Sequence, residues 1–449
     1  MPDTEIKNAI DLLQDLIGRA QRAGADAADA VFVEGVSLSH GRRLGKTEKL
    51  ERSEGHDLGL RVFVGRQQAV VSSSDRSPKA LEELVGRAVA MARAVPEDPF
   101  CGIAGPDEIA QDWPQLDMAD LDEPAAEVLI ERARAAEEAA LAVPGVTNSE
   151  GAEAGWGRSQ VALAASNGFA GGYSGTSHGV SASVVGGQGT AMERDYDFAS
   201  AVYAADLRDP AEIGRSAGER TVKRLGAKKM PTCRCPVVFD PRVARGFISA
   251  LLGAISGPVI ARGTSFLKDK LGQRIFPEAI TIIDDPHRHR GRRSKPFDGE
   301  GLANRRRAII DRGVLTTWLL DLRSARQLHL KSTGHAARGT SSPPGPAPTN
   351  VWIEPGALSP QALIADIESG FYVTEMMGMG VNGVTGDYSR GAAGFWIDKG
   401  EIAFPVSEMT VAGNLKDMFL RLVAANDLEF KAGTDSPTLR IDDLTVAGA

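Results

Sequence analysis

Cysteine is almost missing from this sequence: Cys101, Cys233 and Cys235 are the only 3 in 449 residues. Three thiols are a poor basis for a disulfide framework. Cys233-x-Cys235 has no second pair of soft ligands beside it, so structural thiols are favoured over a zinc site. Histidine is sparse too, with 7 in the chain, and none falls in an H-E-x-x-H or H-E-x-x-x-H pattern. Long apolar runs are absent, and nothing approaches the ~18 residues that a membrane span needs. The first residues, M-P-D-T-E-I-K-N-A-I-D-L-L, carry acids where a secretory signal has an apolar core. The expectation is a cytoplasmic protein. Positive charge is not in excess: 51 Lys and Arg face 59 Asp and Glu, a net charge of −8. That balance argues against nucleic acid or an anionic membrane as a partner. No phosphate-binding loop or dinucleotide fingerprint is present. There is no G-x-S-x-G, and G-D-Y-S-R-G at 386–391 lacks the context of a nucleophile elbow.

What is present is an ordinary soluble composition, 42% hydrophobic and 24% charged, on a chain long enough for two or three domains. Ile6, Ile10, Leu13 and Ile17 have helical spacing over residues 4–23. Strand-like pieces follow at 30–36, 58–64 and 68–72. Ser77-Pro78 then starts a helix, with proline in the first turn, where its missing N–H costs nothing. A third helix is expected over 122–142, strands at 159–166, 171–177 and 179–187, and a helix from Asp209-Pro210 to about 225. Strands followed by a proline-started helix thus occur twice, which hints at an internal duplication.

Past L-G-A-K-K-M-P-T the character changes, and a domain boundary is placed near 228. The expected organisation is an N-terminal α+β domain (1–228) and a C-terminal, β-rich domain (229–449). Residues 236–240 read as a strand, and Asp240-Pro241 as the cap and first turn of a helix. A-I-I-D-R-G-V-L-T-T-W and F-W-I-D-K-G-E-I-A-F read as hairpins, with Gly in a three-residue loop. The loop 337–348 is read as padding or a cavity rim, padding being favoured. The fold class is α+β with mainly antiparallel sheet.

Candidates for chemistry are few. His287 and His289 sit among Arg288, Arg290, Arg292 and Arg293, where repulsion opposes a bound cation. His335, in the polar turn K-S-T-G-H, is the most ligand-facing of the histidines. Glycines recur at 378, 380, 383, 386, 391 and 394, with Asn382, Asp387, Tyr388, Ser389 and Arg390 between them. Such spacing suits either tight turns or the close approach of another chain.

Several of these segments resemble the TldD/PmbA family, in particular its PmbA (TldE) branch. They are S-T-G-H-A (332–336), T-E-M-M-G-M-G-V (374–381), T-G-D-Y-S-R-G-A-A-G-F-W (385–396) and P-V-S-E-M-T-V-A-G-N-L-K-D-M-F (405–419). P-F-D-G-E-G (296–301), W-L-L-D-L-R-S-A-R (318–326) and E-R-S-E-G-H-D-L-G-L-R-V (51–62) add to the likeness. Family members have been described as modulators of DNA gyrase. The resemblance implies a two-domain fold and a cytoplasmic, heterodimeric zinc metalloprotease. Its implied work is on unfolded or extended peptides, as in microcin-type precursor maturation and antitoxin degradation. In the TldD branch a helix bears H-E-x-x-x-H, and a late cysteine supplies a third ligand. The helix from Pro241 corresponds to it. Its candidate positions are Ile248, Ser249, Leu252 and Gly253, and no cysteine follows Cys235.

The resemblance therefore implies a chain without catalytic or metal-binding residues and without a cofactor of its own, zinc being expected in a TldD-like partner subunit. Ser332, Thr333, His335, Asn382, Thr385, Asp387, Tyr388, Ser389 and Arg390 are the expected cavity-lining, peptide-contacting residues. Two other readings stand beside this one. The chain could act alone, as a homodimeric, non-catalytic peptide-binding or scaffold protein. It could also be an independent hydrolase that joins His335 to Ser332 or Ser389.

Overall fold

The computed structural model describes residues 2–448. Its first half holds the order helix, three strands, helix twice over. The first set is α1 (Pro2–Arg22), β1 (Ala27–Arg43), β2 (Lys46–Val64), β3 (Gln67–Ser73) and α2 (Pro78–Ala94). The second is α3 (Ala126–Leu141), β4 (Val146–Ala165), β5 (Ala170–Gly186), β6 (Glu193–Ala201) and α4 (Pro210–Lys223). All six strands form one sheet, ordered β3-β2-β1-β4-β5-β6. The antiparallel β1–β4 seam at its centre gives the two halves approximate two-fold symmetry. Local chemistry starts the helices. The Ser77 side chain accepts from Ala80 N–H ahead of Pro78, and Asp209 accepts from Ala211 N–H ahead of Pro210. Along β1 the side chains alternate. Phe32 packs among the buried residues of α1 and α2, and Val31 belongs to a separate cluster with Phe297 of the second half.

Several strand readings change. The pieces 30–36, 58–64 and 159–166 are parts of strands of 17, 19 and 20 residues, β1, β2 and β4. The pieces 171–177 and 179–187 are one 17-residue strand, β5. Its glycines allow close approach: a Cβ on Gly171 would lie 2.9 Å from the Phe297 ring. β6 was not foreseen.

The second half contains β7 (Cys233–Phe239), α5 (Pro241–Ala254), β8 (Ile282–Asp285), β9 (Arg307–Asp311), β10 (Val314–Leu315), β11 (Ala336–Ala337), β12 (Gly345–Pro346) and β13 (Asn350–Ile353). It continues with β14 (Ser369–Met377), β15 (Asp387–Asp398), β16 (Glu401–Asn414), β17 (Leu422–Ala424), β18 (Thr434–Asp435) and β19 (Leu439–Ala447). One sheet runs β16-β15-β14-β7-β19-β17, and a further β16–β19 pairing closes it on itself, so its long strands leave little free edge. A second sheet runs β10-β9-β8-β13-β18. The sheets are mainly antiparallel, but β7 pairs in parallel with β14, and β13 with β18. α5 packs into the shared core through Phe247, Ile248 and Leu251, each burial being favourable by about 1.5–3 kcal/mol. Among the described residues no helix is long and apolar enough to cross a membrane.

Both expected hairpins form, with two-residue rather than three-residue loops. Asp311 pairs with Val314, and Asp398 with Glu401. The loop residues Arg312, Gly313, Lys399 and Gly400 all have positive φ, the conformation that matches the twist of the flanking strands.

The loop 337–348 is not padding. Arg338, with its side chain 2% exposed, ion-pairs with Asp29 of β1, and Thr340 hydrogen-bonds Asp57 of β2. A Cβ on Gly59 of β2 would lie 2.1 Å from Thr340 O. The loop thus joins the first sheet to the second half of the chain.

Candidate functional site

Between the two halves lies a cavity of about 850 Å³. α5 forms one wall. Arg242, Arg245, Ser249 and Gly253 follow one another at intervals of three, four and four, which puts them on one helix face, and all line the cavity. The N-terminus of α5 is fixed by Asp240, whose side chain accepts from Arg242 N–H at 2.9 Å. The opposite wall comes from β6 (Arg194, Asp195, Tyr196), Arg224 beyond α4, and β14 (Thr374, Glu375, Met376). Pro346 and Pro348 of the loop close a further side.

Two ion pairs cross this space. Arg242 Nη1 lies 2.8 Å from Asp195 Oδ1, which ties α5 to the edge strand β6. Arg224 Nη1 lies 2.5 Å from Glu375 Oε2, which ties the segment after α4 to β14. Burial disfavours the Arg242 charge, but the Asp195 hydrogen bond and charge outweigh it and raise its pKa. Asp195 and Glu375 are the cavity's two lining carboxylates, and each is already held by arginine.

The four helix positions at issue divide. Ile248 is 1% exposed and belongs to the core. Ser249, Leu252 and Gly253 line the cavity, and Ser249 Oγ donates to Arg245 O at 3.3 Å. Zinc does not fit these residues. It needs imidazole, thiolate or carboxylate in a near-tetrahedral set, and the polar lining here is guanidinium, hydroxyl and two engaged carboxylates. Among the described residues no three His, Cys, Asp or Glu side chains converge as a metal-binding group.

The expected cavity residues fall into two places, and Arg390 alone of them lines the cavity. Its guanidinium donates to Gly378 O at 3.0 Å and Met376 O at 3.5 Å. Asn382, Thr385, Asp387 and Ser389 lie in or beside the exposed turn between β14 and β15. There Asn382 Oδ1 accepts from the N–H groups of Val384 and Thr385, at 2.9 and 3.2 Å. Asp387 accepts from Thr385 Oγ1 at 2.6 Å and Asn414 Nδ2 at 3.0 Å, and these bonds hold its carboxyl below the usual range. Tyr388 is buried and stacks on Phe247 with ring centroids 5.6 Å apart. The chain that approaches these glycines is their own neighbour. A Cβ on Gly380 would lie 1.5 Å from Ser389 O, and one on Gly394 would lie 2.0 Å from Tyr372 O.

The Ser332–His335 turn lies elsewhere, in the protein interior. Ser332 Oγ donates to Leu320 O at 3.2 Å, and Thr333 Oγ1 accepts from Leu320 N–H at 2.8 Å. His335, 4% exposed, has Nδ1 at 2.8 Å from Thr333 Oγ1 and Nε2 at 3.3 Å from Asp284 Oδ2. The expectation of a ligand-facing histidine is corrected by this enclosure. Among the described residues no hydrogen bond joins His335 to Ser332 or Ser389, so the serine–histidine hydrolase has no geometry. His287 instead contacts Asn304 Oδ1 at 2.6 Å, and Arg290 ion-pairs with Asp117 at 2.6 Å.

Comparison with known proteins agrees with this architecture. Models of the PmbA/TldA metallopeptidase domains match residues 28–92 (domain 1), 119–225 (central domain) and 232–448 (C-terminal domain). The chain is 38% identical to the metalloprotease PmbA of Escherichia coli O157:H7 over 426 residues, 94% of this chain and 93% of that protein. This chain belongs to the PmbA/TldD metallopeptidase family. A family homologue from Haemophilus influenzae is 36% identical over 99% of this chain and 97% of its own. The fold matches a crystal structure of a Bacteroides thetaiotaomicron protein named as a candidate modulator of DNA gyrase. There the TM-score is 0.90 at 29% identity, covering 98% of each chain. TldE from Thermococcus kodakarensis shares the fold, with a TM-score of 0.87 at 20% identity over 97% of this chain and 100% of that one.

The residues that sequence reading missed are Arg224, Arg242, Arg245 and the pair Asp195 and Glu375, and Arg293, read only as part of a basic cluster, also lines the cavity. A signal existed for two of them: Arg242 and Arg245 share the helix face of Ser249 and Gly253.

Proposed function

We propose that this chain is the zinc-free subunit of a cytoplasmic heterodimeric metalloprotease, and that its cavity helps to hold an unfolded or extended peptide for a zinc-bearing partner subunit. One observation carries the reading: of the α5 positions that correspond to zinc ligands in the TldD branch, Ser249, Leu252 and Gly253 face the cavity, and none of them can donate to zinc. The helix has the placement of an active-site wall within a metallopeptidase family, without the donors. What remains suits binding. β6 is a free edge of the first sheet and contributes Arg194, Asp195 and Tyr196 to the cavity. An extended peptide added along such an edge gains main-chain hydrogen bonds that do not depend on its sequence.

The test is reconstitution with a TldD-like subunit from the same cell. The expected outcome is a mixed complex that cleaves an unfolded protein substrate, while this chain alone does not. A stable homodimer that ignores the zinc subunit, or chelator-resistant cleavage by this chain alone, overturns the proposal.

A further inference from the structure

A second cavity of about 1010 Å³ adjoins the first, and Arg293 and Pro348 line both. Its floor is the face of the first sheet turned away from α1 and α2. On β1 this is the face of Val31 and Val33, continued by Gly35 and Ser37. Gly157 and Ser159 of β4, and Gly175 and Ser177 of β5, extend it. These side chains are too small to fill the space above them. The far wall is the segment 291–295 with Ala347 and Pro348. Together the two cavities make one groove along the junction of the two halves.

The charge of this groove is opposite to that of the chain. Eight Arg and Lys side chains line it against two carboxylates, Asp195 and Glu375, in a protein whose net charge is −8; Arg158, between Gly157 and Ser159, alternates to the opposite face of the sheet. Both carboxylates are engaged by Arg242 and Arg224. Among the described residues Arg245, Arg292, Arg293, Lys295 and Arg390 have no carboxylate at ion-pair distance. Their nearer partners are neutral: Arg293 donates to Thr434 Oγ1 at 3.1 Å, Arg292 to Lys431 O at 3.1 Å, and Arg390 to main-chain carbonyls. Burial, helped by Arg293, pushes the Lys295 ammonium below the usual lysine range, against the opposing pull of the Asp298 and Asp284 carboxylates. Like charges gathered in a half-enclosed groove repel one another and favour an anionic occupant.

We infer that the groove binds an acidic, extended polypeptide segment, with Asp or Glu side chains meeting the five cations that lack a carboxylate partner. The inference rests on the peptide-holding reading above and narrows its substrate class. Three features favour a polypeptide. The groove is long and floored by Gly and Ser, so it accommodates a backbone. The free edge of β6 lies at one end. The cations are spread along it rather than focused on one point.

The test uses the full-length chain and labelled, unstructured Gly/Ser peptides that differ only in carrying several Glu, several Gln or several Lys. Binding is read by fluorescence anisotropy. The Glu peptide should bind about tenfold or more tightly than the Gln peptide, and the Lys peptide not at all. The difference should shrink as salt rises. Arg245→Ala combined with Arg293→Ala should weaken the Glu peptide several-fold more than the Gln peptide. Arg292→Gln, at an exposed position of the segment 291–295, should act in the same direction and serves if the double variant folds poorly. Equal binding of Glu and Gln peptides overturns the acidic preference while leaving the peptide-holding reading intact. Binding of neither peptide overturns both. Tighter binding of a single-stranded oligonucleotide than of the Glu peptide overturns the choice of polypeptide.

Discussion

Arg338, from the proline-containing loop, and Arg61, from β2, grip one carboxylate, that of Asp29 on β1. All three side chains are at most 4% exposed. Asp29 is driven toward its neutral form by burial, and the two guanidiniums more than reverse this, holding its pKa below the usual range. The loop therefore contributes a charge on which a buried carboxylate of the first sheet depends.

Arg338→Ala should destabilise the protein by about 3–5 kcal/mol, the usual effect of stripping one partner from a buried ion pair. Urea unfolding measures it. Gly59→Ala should act in the same direction, because its Cβ would overlap Thr340 O. An Arg338→Ala cost within about 0.5 kcal/mol would return the loop to the status of padding.

Tyr388 and Arg390, two residues apart on β15, should separate cleanly. Tyr388 is 6% exposed against Phe247, so Tyr388→Ala should lower stability by about 3–5 kcal/mol. Tyr388→Phe should cost less than about 1.5 kcal/mol. Arg390→Ala, at the cavity wall, should leave the thermal midpoint nearly unchanged and lower peptide affinity. A large stability loss from Arg390→Ala would place it with Tyr388 as a structural residue.

Much of this architecture was legible where the cause is local. Ser77, Asp209 and Asp240 cap helices whose next residue is proline, and the Asp-x-Gly turns sit between apolar strands. β6 and the parallel β7–β14 pair were not legible, because they depend on partners far away in sequence. The Ser332–His335 turn shows the same limit. Its polar residues look ligand-facing in a linear reading, yet Leu320 and Asp284, which enclose them, are recruited only by the fold. Arg242 and Arg245 were visible on the helix face, but their meaning comes from Asp195 and the edge strand opposite.

The pH dependence of stability should carry a signature of Glu300. Burial raises its pKa, since Arg61, its nearest cation at 3.8 Å, compensates only in part. Asp298 nearby accepts three main-chain N–H bonds, from Glu300, Leu302 and Ala336. Glu300 accepts one, from Leu322 N–H at 2.8 Å, so it holds the proton more readily. The folded state thus binds a proton that the unfolded chain releases near pH 4.5. This contribution is fully present below that value and is lost as pH rises through the raised folded pKa. Urea midpoints should accordingly decline between about pH 5 and pH 8. Glu300→Gln keeps an oxygen for Leu322 N–H and should flatten the decline. An unchanged slope in Glu300→Gln would show that Glu300 is ionised throughout.

The purified chain should hold far less than one equivalent of zinc after brief dialysis against a mild chelator. The soft donors it could offer are Cys233 and Cys235, which share a face of β7 by their two-residue spacing. Burial and the neighbouring Cys233 thiol push the Cys235 thiol up, so its thiolate is scarce at neutral pH, and thiolate is the form that binds metal. Even both thiolates would leave a tetrahedral shell half empty. The α5 positions facing the cavity cannot complete it, nor can His335, which is enclosed by Thr333 and Asp284. Adding the zinc-bearing subunit should bring the complex to about one zinc per heterodimer, and Cys233→Ser should leave that figure unchanged. Elemental analysis decides the matter. Stoichiometric zinc in this chain alone, lost in Cys233→Ser, would mean that the cysteine pair completes a site with ligands from a second copy.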